Sequence, residues 1–153
     1  MFRMLQRWVV LGVMASVTLV WAQSQSGTAE EAKAMLHKAV EALQKDPARA
    51  LEMFTKGERG FKDRDLYVFC YDTTTGLSSA HGADATRIGT VNITTVKDAD
   101  GKEYGKEMLT VATEGAFKEV AYKFPRPGET TPSQKSTFVT KVGTQLCGVG
   151  YYK

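Results

Sequence analysis

A run of six apolar and aromatic residues between two aspartates, residues 66–71, constrains the fold more than any other stretch. Such a run is typical of a β-strand that is buried on both faces. Because side chains alternate along a strand, the run divides into an aromatic set and a smaller, aliphatic set: Tyr67, Phe69 and Tyr71 against Leu66, Val68 and Cys70. Two layers must therefore cover the sheet. A helix suits the aliphatic face, and the aromatic face predicts either a cavity wall or a plain core whose hydroxyls reach the rim.

The first 22 residues predict an export signal. Arg3 and Arg7 flank the start of an uncharged apolar run, and Val20-Trp21-Ala22 offers small residues at the positions that a signal peptidase reads. The run is shorter than the ~20 residues of a membrane-spanning helix, although an uncleaved anchor is the alternative. Cleavage after Ala22 would remove both arginines and bring the net charge of +3 close to zero. We therefore expect a periplasmic or secreted protein with no stable membrane anchor and no nucleic-acid partner.

Residues 23–27 form a short polar linker, and the domain is predicted to span residues 28–153. Thr28 and Glu31 have the spacing of a capping box, and the apolar residues that follow recur at helical intervals. Asp46-Pro47 starts a second helix, which Lys56-Gly57 ends. The long amphipathic helix is the predicted cover for the aliphatic face of the central strand.

The rest of the chain predicts strands around one loop region. A turn at 73–76 leads to a return strand at 77–81, and a long loop at 82–96 precedes a short helix at 103–113. Three antiparallel strands follow at 116–124, 136–142 and 146–152, the last with Gly148 and Gly150 allowing close approach. This order predicts an α+β fold with a five-stranded antiparallel sheet.

No cofactor or metal site is predicted. Cys70 and Cys147 lie in strand-like runs, where a disulfide and two buried free thiols both fit the pattern. Their spacing matches no redox, haem or structural zinc motif. Asp98, Asp100 and Glu107 fit calcium-loop positions, but Val96 occupies the first of these, and a turn before the next helix explains the same residues.

Several segments, taken together and in order, resemble the single Cache domain of the second subtype. They are Leu66-Tyr-Val-Phe-Cys-Tyr-Asp72, Ala80-His81, Lys97-Asp-Ala-Asp-Gly-Lys102, Tyr122-Lys-Phe-Pro-Arg-Pro-Gly128, Lys135-Ser-Thr-Phe-Val139 and Gly148-Val-Gly-Tyr151. The resemblance implies a PAS-like sheet whose first and last strands are adjacent, a long N-terminal helix on one face, and an extracytoplasmic pocket for small molecules, often short carboxylates. It also brings Cys70 and Cys147 onto neighbouring strands.

Nine residues are the candidate ligand-binding set: Phe69, Tyr71, His81, Tyr104, Met108, Tyr122, Phe124, Lys135 and Phe138. His81 matches the family's histidine, with an exposed turn histidine as the alternative. The resemblance puts Lys135 near the pocket mouth, where it would pair with a carboxylate, and an exposed hairpin lysine is the alternative. Gly82, Phe124 and Phe138 replace the family's proline, tryptophan and tyrosine, which favours a less polar ligand or a filled pocket.

The leading functional hypothesis is an exported module that binds or senses a small molecule, with a short organic acid as the expected ligand. It would have no transmembrane output of its own and would act through a membrane-bound signalling partner. The alternative is a structural or protein-interaction domain with a filled pocket. An enzyme is not expected, because the sequence has no nucleophile elbow, no zinc-type histidine pair and no glycine-rich phosphate loop.

Overall fold

The computed structural model describes residues 26–153, so the predicted signal peptide and most of the linker lie outside the described residues. Helix α1 spans Ala29–Lys45 and helix α2 spans Pro47–Lys56. The predicted capping box is present, since Thr28 accepts from the Glu31 amide and Glu31 accepts from the Thr28 amide. Asp46 caps α2, and Gly57 ends it with a positive φ of 67°.

Six antiparallel strands form one sheet. They are β1 (Lys62–Asp63), β2 (Leu66–Asp72), β3 (Ser78–His81), β4 (Lys118–Pro125), β5 (Pro132–Val142) and β6 (Gln145–Tyr152). The order is β1-β2-β6-β5-β4, and β3 also pairs with β2. The predicted α+β fold is confirmed, including the pairing of the first long strand with the last. The two-residue strand β1 was not predicted, because two residues are too short to show a period.

The two faces of β2 pack against different layers, as the alternation predicted. Leu66, Val68 and Cys70 contact the apolar faces of α1 and α2. Tyr67, Phe69 and Tyr71 belong to a second cluster, which is completed by β4 and by the segment from residue 83 to 112. That segment contains α3 (Tyr104–Val111), slightly shorter than the predicted helix at 103–113.

A disulfide joins β2 to β6 beneath the helices. Cys70 and Cys147 are directly opposite in the ladder, with their Cα atoms 4.1 Å apart. The predicted placement on neighbouring strands is confirmed, and the alternative of two free thiols is wrong.

The aspartate turn before α3 is a structural element. One carboxylate oxygen of Asp98 accepts from the amides of Asp100 and Lys102, and the other accepts from the Lys123 amide of β4 at 3.0 Å. These bonds hold the cover of the aromatic face against the sheet edge. Among residues 26–153, no helix is long and apolar enough to cross a membrane.

Candidate functional site

A small cavity lies between the aromatic face of the sheet and the segment that covers it. Eight side chains line it: Tyr67, Phe69, Tyr71, His81, Arg87, Tyr104, Tyr122 and Phe124. Its volume is about 10 Å³, which is room for roughly one water molecule. A wider cleft of about 360 Å³ lies outside, between residues 83–87 and the β4–β5 loop, and it shares Tyr67, His81, Arg87 and Phe124 with the cavity.

Six of the nine predicted site residues meet at this cavity: Phe69, Tyr71, His81, Tyr104, Tyr122 and Phe124. Met108 belongs to the same apolar cluster but does not line the cavity, so its predicted place in the pocket was wrong. It lies one helical turn beyond Tyr104 on the buried side of α3. Tyr67 and Arg87 line the cavity and were not in the predicted set. The alternation along β2 already put Tyr67 on the aromatic face, and the long loop at 82–96 was the available signal for Arg87.

The placement of Phe138 in the pocket was wrong. Its side chain belongs to the helix-covered cluster, where it stacks on Tyr151 with ring centroids 5.7 Å apart. The ammonium of Lys33 on α1 lies 4.8 Å from its ring centroid. Alternation along β5 explains this result, because Thr137 and Val139 point to the cavity side and Phe138 to the helices.

Lys135 lies behind the cavity wall and not at its mouth, so neither the predicted mouth position nor the exposed alternative is correct. The residue is 2% exposed, and its Nζ donates to the Tyr67 hydroxyl at 2.8 Å. The ring centroids of Tyr67, Phe124 and Tyr152 lie 4.4 to 5.1 Å from the same nitrogen. A Cβ at Gly150 would collide with the lysine side chain, so the close approach predicted for this glycine serves to accommodate Lys135.

Burial in this aromatic surround lowers the pKa of Lys135 to about 7. Asp65 opposes the shift, and the charge of Arg87 adds to it. Among the described residues, no carboxylate oxygen lies within 4.0 Å of the Lys135 ammonium. The lysine is therefore a buried cation that is stabilised by rings and one hydroxyl, without an ion pair.

His81 is a neutral imidazole in the cavity wall. His81 is 5% exposed, and its Nδ1 accepts a hydrogen bond from the Asp84 amide at 3.0 Å. Burial, together with the charges of Arg87 and Lys135, lowers the pKa of His81 to about 3. Because Nδ1 is the acceptor, the hydrogen bond assigns the proton to Nε2, which is a donor. His81 lines the cavity and is not an exposed turn histidine, and its contact with a ligand stays a prediction.

Arg87 is the charged side chain shared by the cavity and the cleft. It ends the short 3-10 turn Ala85–Arg87, and its guanidinium carbon lies 5.6 Å from the centroid of Phe124. Its Nε is buried without a hydrogen-bond partner. Among the described residues, no carboxylate oxygen lies within 4.0 Å of this guanidinium either.

Phenol groups supply the remaining polarity of the cavity. Tyr104 and Tyr122 stack with ring centroids 4.2 Å apart, and the Tyr122 hydroxyl lies 3.1 Å from Thr137 Oγ1. Burial raises the pKa of Tyr104 to about 12 and that of Tyr122 well above its ordinary value. These phenols therefore stay neutral, and the cavity offers a cation, an imidazole donor and hydroxyls, with no carboxylate in its lining.

Comparison with protein-family models identifies the family of the chain. The model of the family Single Cache domain 2 matches residues 8–145 of the chain. The chain belongs to this Cache family. The match starts upstream of Thr28, where the domain is predicted to begin. Cache domains are extracytoplasmic ligand-binding domains of sensory proteins, and the chain is accordingly a small-molecule sensing module.

Solved structures share the fold. One is a methyl-accepting chemotaxis protein from Vibrio parahaemolyticus, 21% identical, with a TM-score of 0.66 over 80% of this chain and 86% of that one. Another is a Cache chemosensory domain described in terms of carboxylic acid recognition, 22% identical, with a TM-score of 0.64 over 80% of this chain and 91% of that one. A third is a periplasmic sensor domain of a chemotaxis protein, 23% identical, with a TM-score of 0.60 over 78% of this chain and 88% of that one. No curated protein matches the chain.

Proposed function

We propose that this domain binds a small organic anion, a short carboxylate, in the cavity beneath the outer cleft, and that occupancy is the input to a membrane-bound signalling partner. The observation that carries the proposal is the position of the Arg87 guanidinium. It is a partly buried cation at the boundary of cavity and cleft, its Nε has no hydrogen-bond partner, and no described carboxylate neutralises it. A planar carboxylate matches the donor geometry of a guanidinium.

The charges around the cavity favour an anion over a cation. Arg87 lines it directly, and Lys135 lies one ring away behind Tyr67. His81 presents Nε2–H as a further donor. A ligand amine would meet like charges in a weakly solvated space, whereas a carboxylate would offset the cost of burying the two cations.

A ligand of several heavy atoms needs more room than about one water molecule. The other lining residues lie on paired strands and on α3, so Arg87 is the lining residue that can move most easily. Its side chain comes from a three-residue turn and already borders the wider cleft. We infer that Arg87 moves outward as the anion enters and then closes over it.

The test is calorimetric titration of the purified protein with propionate, with propionamide as the neutral analogue and propylamine as the cationic one. We expect propionate alone to bind. A concentration a hundredfold above the dissociation constant should add about 2.7 kcal/mol to the apparent free energy of unfolding. Arg87→Gln should cost about 2 to 5 kcal/mol of binding. The matched control is Arg49→Gln at an exposed position of α2, which should leave binding unchanged.

The alternative function predicts a different result. If acetate, propionate, lactate and pyruvate all fail to bind the folded protein, the cavity is a filled core and the domain is a structural or interaction module. Binding that Arg87→Gln leaves intact would keep the anion site and refute the role of this arginine.

Export is the second part of the proposal, and it depends on the predicted signal at residues 1–22. We expect the protein in the periplasm or medium to begin at Gln23. Intact-mass measurement of exported material checks this, and retention of the first 22 residues would contradict it.

A further inference from the structure

We propose that Lys135 is a positioning residue for anion binding, which acts by setting the direction in which the Tyr67 hydroxyl donates its hydrogen. This inference rests on the proposed function. Tyr67 lines both the cavity and the cleft, whereas Lys135 lines neither. The lysine therefore makes no contact with a ligand in the cavity. Beyond the field of its charge, it can act on a ligand through Tyr67, which lies in front of it.

The hydrogen bond between the two residues has two states. An ammonium has donors only, so protonated Lys135 donates to Tyr67 Oη at 2.8 Å and leaves the phenol hydrogen to be donated elsewhere. The Tyr152 hydroxyl is one neighbouring acceptor, and we propose that an anion in the cavity competes with it for this hydrogen. When the ammonium loses one proton to solvent, its nitrogen gains a lone pair. The phenol then donates back to the amine, and the cavity loses a donor.

The charged and titratable groups around Lys135 do not change charge near neutral pH. Tyr67 on β2 and Tyr152 on β6 are phenols whose pKa values burial raises, and Phe124 on β4 carries no charge. Asp65 is held by Arg126 at 2.6 Å, and Arg87 stays charged at any working pH. His81 is neutral above about pH 3. Between pH 6 and 9, Lys135 is thus the group in this surround that changes charge, with a pKa of about 7.

The sign follows from these states. Below pH 7 the ammonium is charged and Tyr67 donates toward the cavity, so anion affinity is highest. Above pH 7 the donor is withdrawn and affinity falls. Loss of one hydrogen bond to a charged acceptor corresponds to about a tenfold or larger change in the dissociation constant.

The experiment separates this mechanism from a direct effect of the lysine charge. Propionate affinity is measured by calorimetry at pH 6 and pH 9 for the wild type, Tyr67→Phe, Lys135→Met and the exposed control Lys118→Met. We expect the wild type and Lys118→Met to weaken about tenfold or more at pH 9. Tyr67→Phe and Lys135→Met should bind weakly at both pH values, with ratios below about threefold. A Tyr67→Phe protein that keeps the wild-type ratio would show that the lysine acts by its field alone, and would overturn the proposal.

A second measurement needs no ligand. In protein labelled with ¹³C at tyrosine Cζ and lysine Cε, the Tyr67 Cζ resonance should move with the same midpoint as the Lys135 Cε resonance. The movement should disappear in Lys135→Met. A Tyr67 resonance that does not follow Lys135 overturns the reversal. Coupled resonances in a protein that binds no acid would instead refute the proposed function and leave the hydrogen-bond reversal supported.

Discussion

The two faces of one sheet differ in what covers them and in what they bury. The helix-covered face packs aliphatic side chains and a disulfide against α1 and α2. The loop-covered face packs rings, phenols and two cations beneath a segment whose main regular element is the eight-residue α3. The first face contributes stability through close apolar packing, which resists any volume change. The second buries polar and charged groups at a cost, which is expected where a binding site is built.

The side chains of β2 alternate between the two faces, so a single substitution on β2 changes the packing of only one face. Val68 and Cys70 are fully buried under the helices, and the neighbouring Tyr67 is buried on the opposite face, where it lines the cavity. This arrangement predicts that stability and anion affinity can be changed separately by substitutions on adjacent residues of one strand.

The largest effect should come from removing the disulfide of the helix-covered face. The bridge closes a loop with a sequence separation of 77 residues, and its loss should lower the free energy of unfolding by about 4 kcal/mol. Urea unfolding of a Cys70→Ala, Cys147→Ala double variant measures this. Propionate affinity of the folded fraction should stay unchanged. A stability loss below about 1 kcal/mol, or a large loss of affinity, would break the proposed separation of the faces.

The buried lysine of the loop-covered face should make the free energy of unfolding depend on pH. The pKa of Lys135 is about 7 when folded and 10.5 ordinarily, so the unfolded chain binds more protons between these values. Stability should therefore rise as pH increases from 7 toward 10.5, by on the order of 3 kcal/mol at pH 9.5. Below pH 7 the cost of the buried charge is fully present.

Urea unfolding at pH 6.5 and 9.5 checks this, with the difference between wild type and Lys135→Met isolating the lysine. Lys118→Met is the matched control on the exposed end of β4. Equal pH slopes in wild type and Lys135→Met would mean that the folded lysine titrates like a solvated one.

The contrast between the faces also explains what the sequence could predict. Alternation assigned Leu66, Val68 and the β2 aromatics to their faces, because a strand period depends on local geometry alone. Alternation along β5 puts Phe138 opposite Thr137 and Val139, but it does not say which of the two faces the helices cover. Lys135 could not be placed, because its burial depends on the lack of a side chain at Gly150 of the neighbouring strand. Arg87 lies in a loop without a period, where only the three-dimensional fold brings it to the cavity.

A smaller effect is expected at the junction of the β4–β5 loop with the start of α1. Asp65 is almost fully buried and accepts from Arg126 at 2.6 Å and from the Gly27 amide at 2.6 Å. Arg126→Ala removes the charge partner but leaves the amide, so we expect a loss of about 2 kcal/mol. The control is Lys56→Ala, which breaks an exposed pair with Glu52 and should leave the free energy of unfolding nearly unchanged. Equal losses in urea unfolding would contradict a buried role for Asp65.

The smallest and most selective effect compares two phenylalanines on opposite faces. Phe124 has both Arg87 and Lys135 near its ring, at 5.6 and 5.1 Å, whereas Phe138 lies under α1 near Lys33. Replacing either ring by leucine keeps an apolar side chain and should cost about 1 kcal/mol of stability. Phe124→Leu also removes ring contacts that position two cations, each worth about 0.5 to 2 kcal/mol, so propionate affinity should change severalfold. Phe138→Leu should change it less than about twofold. Calorimetry on the two variants at pH 6 decides the matter: an equal change in affinity would show that the two faces are coupled through the sheet, and the division between a packing face and a binding face would then fail.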